Sequence, residues 1–394
     1  MFNFTSTPPL SLYIHIPWCV RKCPYCDFNS HEVREDIPER EYIDALLADL
    51  EQELPAVWGR PVESVFIGGG TPSLFTPEGI DRLLGAIRAR LTLQPNAEIT
   101  LEANPGTVDR AHFDGYRAAG INRLSIGIQS FQTGLLEAIG RIHDRRTAIR
   151  AAESAHAAGF ANFNLDLMFG LPGQSLQQAL ADLRIAMDLE PTHLSWYELT
   201  IEPNTRFYRH PPQLPDEESL WDCQSAGLAL LAGRGFDRYE ISAYARGDRQ
   251  CRHNLNYWRF GDYLGIGAGA HGKLTDPAHQ VIRRSAKLRH PEGYLAARKD
   301  GNFRSMERTL APVDVTLEFM MNALRLTHGF TAAEFTARTG LPSARLEPGL
   351  GRAIVAGLID TADACWTATE TGQRYLNDLL QYWLAEENAN AGSD

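Results

Sequence analysis

Residues 11–28 read SLYIHIPWCVRKCPYCDF, a short stretch rich in β-branched and aromatic residues that runs straight into three closely spaced cysteines. The first part predicts a β-strand over Ser11–Ile16, closed by Pro17. The second part places Cys19, Cys23 and Cys26 in the spacing C-x3-C-x2-C. The other cysteines, Cys223, Cys251 and Cys365, are scattered. A disulfide framework would spread its cysteines over a small secreted fold, so one tight cluster reads as a metal site. Thiolates are the usual ligands of a 4Fe–4S cube. Three of them on one loop hold three corners and leave one iron open to bind a small molecule directly, as an open position does in catalytic zinc sites. The alternative is a tetrahedral zinc held by the three cysteines with His15 or His31.

Outward from this loop the chain repeats a strand-then-helix rhythm to about residue 200. Further strands are expected at Val62–Ile67, Glu98–Glu102, Arg123–Gln129, Asn162–Met168 and His193–Leu199. Helical patterns lie between them. The clearest is Glu39–Leu54, where Tyr42, Ile43, Leu46, Leu47, Leu50 and Leu54 recur at helical spacing. Others are Pro77–Arg90, Asp109–Ala119, Thr147–Ala158 and Leu176–Leu189. Such alternation implies parallel strands with helical crossovers. Six units give an α/β fold, a partial (β/α)6 TIM-like barrel that lacks the eight strands needed for closure.

Chemistry in such sheets gathers at the C-terminal strand ends. There the cysteine loop follows strand one, Gly68, Gly69, Gly70 and Thr71 follow strand two, Glu102 ends strand three, Gln129 ends strand four and Asp166 lies in strand five. The glycines are expected to offer successive backbone N–H groups with no Cβ in the way of a ligand's amino or carboxylate group. Glu102 and Asp166 need partners if buried. A ribose hydroxyl pair or an ammonium group would serve, and so would a structural ion pair with Arg123 or Arg141.

Residues 1–205 are expected to form the barrel and 206–312 an extension rich in Tyr, Trp, His and Gly. Residues 313–385 are expected to form a small C-terminal, mainly helical, winged-helix-like α+β domain, and 386–394 a solvated tail. Its expected helices are Val315–Leu326, Thr331–Thr339, Ser343–Ala356 and Thr371–Leu384, with a hairpin of Leu358–Asp360 and Cys365–Thr369. Over 394 residues, 44% are hydrophobic and 22% charged, which suits a globular protein with a full core. The net charge of −11 argues against nucleic acid as a partner over the whole surface. No secretory signal or membrane-length apolar run is visible, so a cytoplasmic location is expected.

The cysteine spacing, with Tyr25 just before the last cysteine, resembles the radical-SAM superfamily. The wider set YIHIPWC, GGGTPS, EANPG, RLSIGIQSF, GRIH, DLMFGLPGQ and IEPNT is similar to the oxygen-independent coproporphyrinogen III oxidase family within it. That resemblance implies a 4Fe–4S cluster on Cys19, Cys23 and Cys26. It also implies S-adenosylmethionine chelating the open iron, and reductive cleavage to methionine and a 5′-deoxyadenosyl radical. Tyr13, Gly69 and Glu102 would contact the cluster-bound S-adenosylmethionine. Tyr25, Gly70, Thr71, Gln129, Arg141 and Asp166 match positions lining a second S-adenosylmethionine site in the oxidases.

Two departures separate the chain from the oxidases. They carry a fourth cysteine where Phe28 stands here, and a longer stretch before the first cysteine, which is residue 19 here. The segments PWCVRKCPYCDFNSH, LSWYELTIEPNT and HNLNYWRFGDYLGIGAGAHG instead resemble the HemW-type branch of haem chaperones. This implies haem as cargo and handover to acceptor haem proteins, respiratory and membrane-associated ones among them, at the inner face of the membrane. It also implies a low-potential electron donor, and a homodimer is compatible with it. His253, in the H-N-x-x-Y-W motif of residues 253–258, would be the haem ligand, with His271 and Cys251 as rivals. Coproporphyrinogen oxidation is not expected. The competing readings are a radical-SAM enzyme acting on a porphyrinogen and a zinc-stabilised interaction module.

Overall fold

In the computed structural model, which describes residues 2–347 and 349–390, a twelve-stranded sheet runs through most of the chain. Six strands pair in parallel in chain order: β1 (Leu10–Ile16), β2 (Val62–Gly69), β3 (Leu93–Ala103), β4 (Arg123–Gln129), β5 (Phe163–Phe169) and β6 (His193–Glu198). Helices α1 (Glu39–Val57), α2 (Pro77–Arg88), α3 (Arg110–Ala119), α4 (Thr133–Ala138), α5 (Arg145–Ala157) and α6 (Leu176–Asp188) form the connections. The third strand begins five residues earlier than the alternating pattern marks.

Strand alternation sends one set of side chains towards the helices and the other into the interior of the curved sheet. Leu12, Ile14 and Ile16 of β1 join Val65 and Ile67 of β2 and Ile43, Leu46 and Leu50 of α1 in one buried core. Each such side chain contributes about 1.5–3 kcal/mol by burial. Helix starts are written locally. Thr76 accepts from the Gly79 N–H with Pro77 in the first turn, Asp109 and Asp144 cap α3 and α5, and Ser175 with Gln178 makes a capping box on α6.

Residues 206–312 carry the other half of the sheet. After α7 (Glu217–Ala232) come β7 (Asp237–Glu240), β8 (Ala243–Ala245), α8 (Arg252–Trp258), β9 (Asp262–Ile266), β10 (His271–Asp276), β11 (Val281–Lys287) and β12 (Arg304–Thr309). The strand order is β12-β11-β10-β9-β1-β2-β3-β4-β5-β6-β8-β7. β9 lies parallel to β1, so the strand that launches the cysteine loop is flanked by β2 on one side and by chain some 250 residues later on the other. α8 packs against β1, β2 and β9.

The C-terminal part follows a winged-helix-like order. It comprises α9 (Pro312–Ala323), a short strand Phe330–Thr331, α10 (Ala332–Thr339), α11 (Gly349–Val355), a hairpin Ile359–Ala362 with Cys365–Ala368, α12 (Glu370–Arg374) and α13 (Leu376–Asn390). The helix expected over Ser343–Ala356 is instead a 3-10 turn, Ser343–Leu346, followed by α11. α13 continues to Asn390 through part of the expected tail, and residues 391–394 lie outside the described residues. The core of this part includes Phe319, Phe335 and Trp383, but also Phe4, Phe260 and Ile282 from elsewhere. The Asn3 N–H donates to the Gly340 carbonyl at 2.8 Å. Among the described residues no helix is long and apolar enough to cross a membrane.

Candidate functional site

The cysteine loop leaves β1 at Pro17 and is pinned where Trp18–Cys19 pairs with His31–Glu32. All three thiols are free and half-buried. Each has a polar neighbour: the Thr71 hydroxyl donates to Cys19 Sγ at 3.4 Å, Arg141 Nη1 to Cys23 Sγ at 3.8 Å, and Cys26 Sγ lies 3.8 Å from Ser30 Oγ. Burial pushes the Cys19 and Cys26 thiols up. They stay protonated until a cation compensates, and binding a metal there releases protons. Among the described residues no three His, Cys, Asp or Glu side chains converge on a single-ion position. The thiols instead stand around a cavity of about 320 Å3. His15, a candidate fourth zinc ligand, has both nitrogens engaged. Its Nε2–H donates to the Asn29 carbonyl at 2.8 Å and its Nδ1 accepts from the Tyr13 hydroxyl at 3.0 Å.

The cavity gathers most of the residues singled out from the sequence. Tyr25, Gly69, Gly70, Thr71, Glu102, Gln129, Arg141 and Asp166 all line it with the three cysteines. Tyr13 lines a neighbouring cavity of about 480 Å3, which shares Phe28, Gly69 and Glu102 with the first. The glycine run differs from expectation. Its N–H groups are already committed: Gly69 to Glu102 Oε2 at 3.0 Å, Gly70 to the Ile16 carbonyl at 2.7 Å and Thr71 to the Trp18 carbonyl at 2.7 Å. What the glycines supply is close approach. A Cβ on Gly69 (φ +115°) would stand 2.5 Å from the His15 ring, and one on Gly70 would stand 2.5 Å from the Trp18 carbonyl oxygen. The run clamps β2 against the cysteine loop.

Glu102 and Asp166 are half-buried at the cavity wall, and neither forms an ion pair with Arg123 or Arg141 among the described residues. Burial first, then the charge of Asp166, raises Glu102 to about 7, with the Gly69 N–H opposing. Asp166 is also raised by burial, against hydrogen bonds from Asn164 Nδ2 at 2.7 Å and the Ser125 hydroxyl at 3.0 Å. On the far wall Arg141 donates through Nη2 to the Gly127 carbonyl at 2.5 Å, while its buried Nε has no partner. Gln129 (φ +69°) turns out of β4 and accepts from the Tyr197 hydroxyl at 2.8 Å. Carboxylates able to take a proton or an ammonium thus share with the Arg141 guanidinium the wall of a space edged by three thiols. This donor set fits an iron–sulfur cube with a charged amino acid beside it.

Ser195 and Tyr197 line the same cavity and went unmarked. They alternate along β6 on the face Asp166 occupies in β5, the period-two signal that would have found them. Tyr257, Tyr263 and Arg289 line the larger cavity from the extension. The H-N-x-x-Y-W segment is α8. His253 on it is 1% exposed and lines neither cavity. Its Nδ1 lies 3.0 Å from the Ser64 hydroxyl, its ring stacks on Phe66 at 5.0 Å, and burial pushes it down to about 3. Cys251 is fully buried against Glu98. His271 is exposed and lines the larger cavity.

Comparison with known proteins gives two family matches. The Radical SAM superfamily model matches residues 13–186 and the HemN C-terminal domain model matches residues 310–375. The chain is 51% identical over 379 residues to heme chaperone HemW of Escherichia coli K12, covering 96% of this chain and 99% of that protein. It is 32% identical over 386 residues to heme chaperone HemW of Bacillus subtilis, covering 95% and 99%. Among solved structures, Escherichia coli coproporphyrinogen III oxidase (HemN), a radical SAM enzyme, superposes with a TM-score of 0.80 at 24% identity, over 96% of this chain and 90% of that one. At that identity it shows a shared fold.

Proposed function

The chain belongs to the heme chaperone HemW family of radical SAM proteins, and on that premise we propose that it binds haem and passes it to acceptor haem proteins. Cys19, Cys23 and Cys26 hold a 4Fe–4S cluster in this reading, which when bound supplies one-electron chemistry towards S-adenosylmethionine. Tyr13, Gly69 and Glu102 lie against the cluster-bound molecule, and Tyr25, Gly70, Thr71, Gln129, Arg141 and Asp166 form the wall beyond it. Glu102, held near neutral pH, gives up its proton when an ammonium group arrives. The Arg141 guanidinium, on the cavity wall, supplies the positive charge that meets a carboxylate.

The single observation that favours a carrier over an oxidase is Phe28. It stands 61% exposed on the rim shared by the two cavities, where the oxidases place another cysteine. A large apolar side chain there suits a porphyrin edge and offers no further thiolate to the mouth. Acceptor haem proteins at a membrane, and a low-potential reductant for the cluster, complete the reading.

The test is anaerobic reconstitution with iron and sulfide, followed by haem titration and by incubation of the loaded protein with an apo-haem protein. Stoichiometric haem uptake and its appearance in the acceptor are expected. Decarboxylation of coproporphyrinogen, with 5′-deoxyadenosine formed in proportion, would replace the carrier reading with an enzymatic one.

A further inference from the structure

Outside the two cavities, two later segments close on Pro24 of the cysteine loop, one following α4 and one following β6. The Phe207 N–H donates to the Pro24 carbonyl at 2.9 Å, which seats the short helix Arg206–Arg209 on the loop. Gly140 comes so near that a Cβ on it would stand 2.6 Å from Pro24 Cδ. Around this junction Val20, Ile142 and Tyr208 are 48%, 45% and 58% exposed. Arg145, Arg146, Arg206 and Arg209 are exposed as well, and none of the four forms an ion pair among the described residues. None of these seven residues lines either cavity. Residues 20–28, 140–146 and 206–210 together carry seven Lys and Arg against two Asp, on a chain whose net charge is −11. Of the two, Asp144 is engaged as the cap of α5. Glu32, Glu137 and Glu202 flank the patch and leave it net positive.

Resting on the cluster reading above, we propose that this face is the docking surface for an acidic one-electron carrier protein, which reduces the cluster through the cysteine loop. Arginine and tyrosine beside exposed apolar side chains are the residue types that dominate protein–protein contacts. The four arginines lack a counter-charge within a chain that has more acid than base, so an acidic partner supplies it. The rest of the surface repels such a partner, which fixes where it lands. The patch is built on the loop that carries all three thiols, so a protein bound there stands a loop's thickness from the cluster. Anionic lipid headgroups would meet the same charges, but they have no electron to give and no reason to sit against that loop. In the step itself the carrier loses one electron and the cluster gains it, with no bond made or broken.

The test uses the full chain, reconstituted anaerobically with iron and sulfide, and reduced plant-type ferredoxin, an acidic low-potential carrier, as the probe. Binding is read by calorimetry and electron transfer by stopped-flow bleaching of the cluster. The double variant Arg206→Glu, Arg209→Glu is expected to bind ferredoxin about tenfold or more weakly at low salt, with bleaching slowed in step. That difference is expected to shrink in about 0.5 M salt. Arg146→Glu is expected to show a smaller loss of the same kind, and Tyr208→Ser a several-fold loss that salt leaves unchanged. Arg249→Glu, an exposed site beyond the β8 end nearest the barrel base, controls for net charge and is expected to bind like wild type. Reduction by photoexcited deazaflavin, a small molecule that needs no docking, is expected at the wild-type rate throughout, and cluster content reports that the loop has formed. Wild-type protein that binds no ferredoxin would overturn the proposal, as would an unaffected double variant or an equal loss in Arg249→Glu. A double variant that loses binding to phosphatidylglycerol vesicles but keeps ferredoxin would also overturn it, and mark the face as a membrane contact. If the wild-type chain takes up no cluster, the reading beneath the proposal falls instead, and calorimetry on the unreconstituted variants still tests the face.

Discussion

The two ends of the barrel interior are built from the same strand alternation but are finished in opposite ways. At the base, Ser11, Ser64, Glu98, Asn164 and His193 are polar, and the chain returns to cover them. Ser11 and Ser64 bond each other at 2.8 Å, Glu98 accepts from α8, and His193 is held at 2.7 Å by both Asn164 and the Tyr239 hydroxyl. Among the described residues there, Thr100 Oγ1, Arg123 Nε and His253 Nε2 are left over. At the mouth, Glu102, Asp166 and Arg141 face a cavity that no segment fills. Polar residues inside a barrel therefore do not by themselves mark a ligand site. The mark is polarity that the rest of the chain leaves open.

The largest way to break that contrast is Cys23→Ser. It should abolish cluster incorporation at the mouth, read by iron content and the visible charge-transfer band, while much haem binding and the base stay intact. Glu102→Gln comes next. Removing a charge-assisted contact should weaken S-adenosylmethionine binding about 10- to 100-fold, measured by calorimetry on reconstituted protein. The same change should stabilise the apo-protein, because the half-buried carboxylate of Glu102 is raised from 4.5 to about 7. Its folding cost is absent below pH 4.5, grows as the pH rises to 7, and is complete above that at about 3 kcal/mol. Urea unfolding at pH 5 and pH 8 should show the variant's advantage only at the higher pH. His193→Phe probes the base. Losing the two imidazole hydrogen bonds, to Asn164 and to the Tyr239 hydroxyl, should cost about 1–3 kcal/mol of stability with S-adenosylmethionine affinity unchanged. A fall in that affinity would mean that the base and mouth are coupled.

The six parallel strands were legible because each is a local run of β-branched and aromatic residues followed by a turn signal, and the site residues because they sit at the ends of those runs. The extension was not legible for physical reasons. β9 owes its place to pairing with β1 some 250 residues earlier, and β12 is exposed at every position, so it carries no alternation. The seat of His253 was hidden as well. A histidine among aromatic residues reads the same whether it faces a ligand or plugs a barrel, and only the tertiary contact with Ser64 and Phe66 distinguishes them. The glycine run pointed to the right place for a different reason, since its amides serve the fold and its missing side chains serve the approach of β2 to the loop.

Phe4 lies in the C-terminal core, and β1 starts only a few residues later, beside β9. During synthesis the cysteines emerge from the ribosome well before β9. β2 follows soon after, but β9, which holds the other side of their strand, arrives hundreds of residues afterwards. The cysteine loop is thus made before one of the two strands that flank its own is available. A truncation far downstream, by removing β9, would be felt at residue 19.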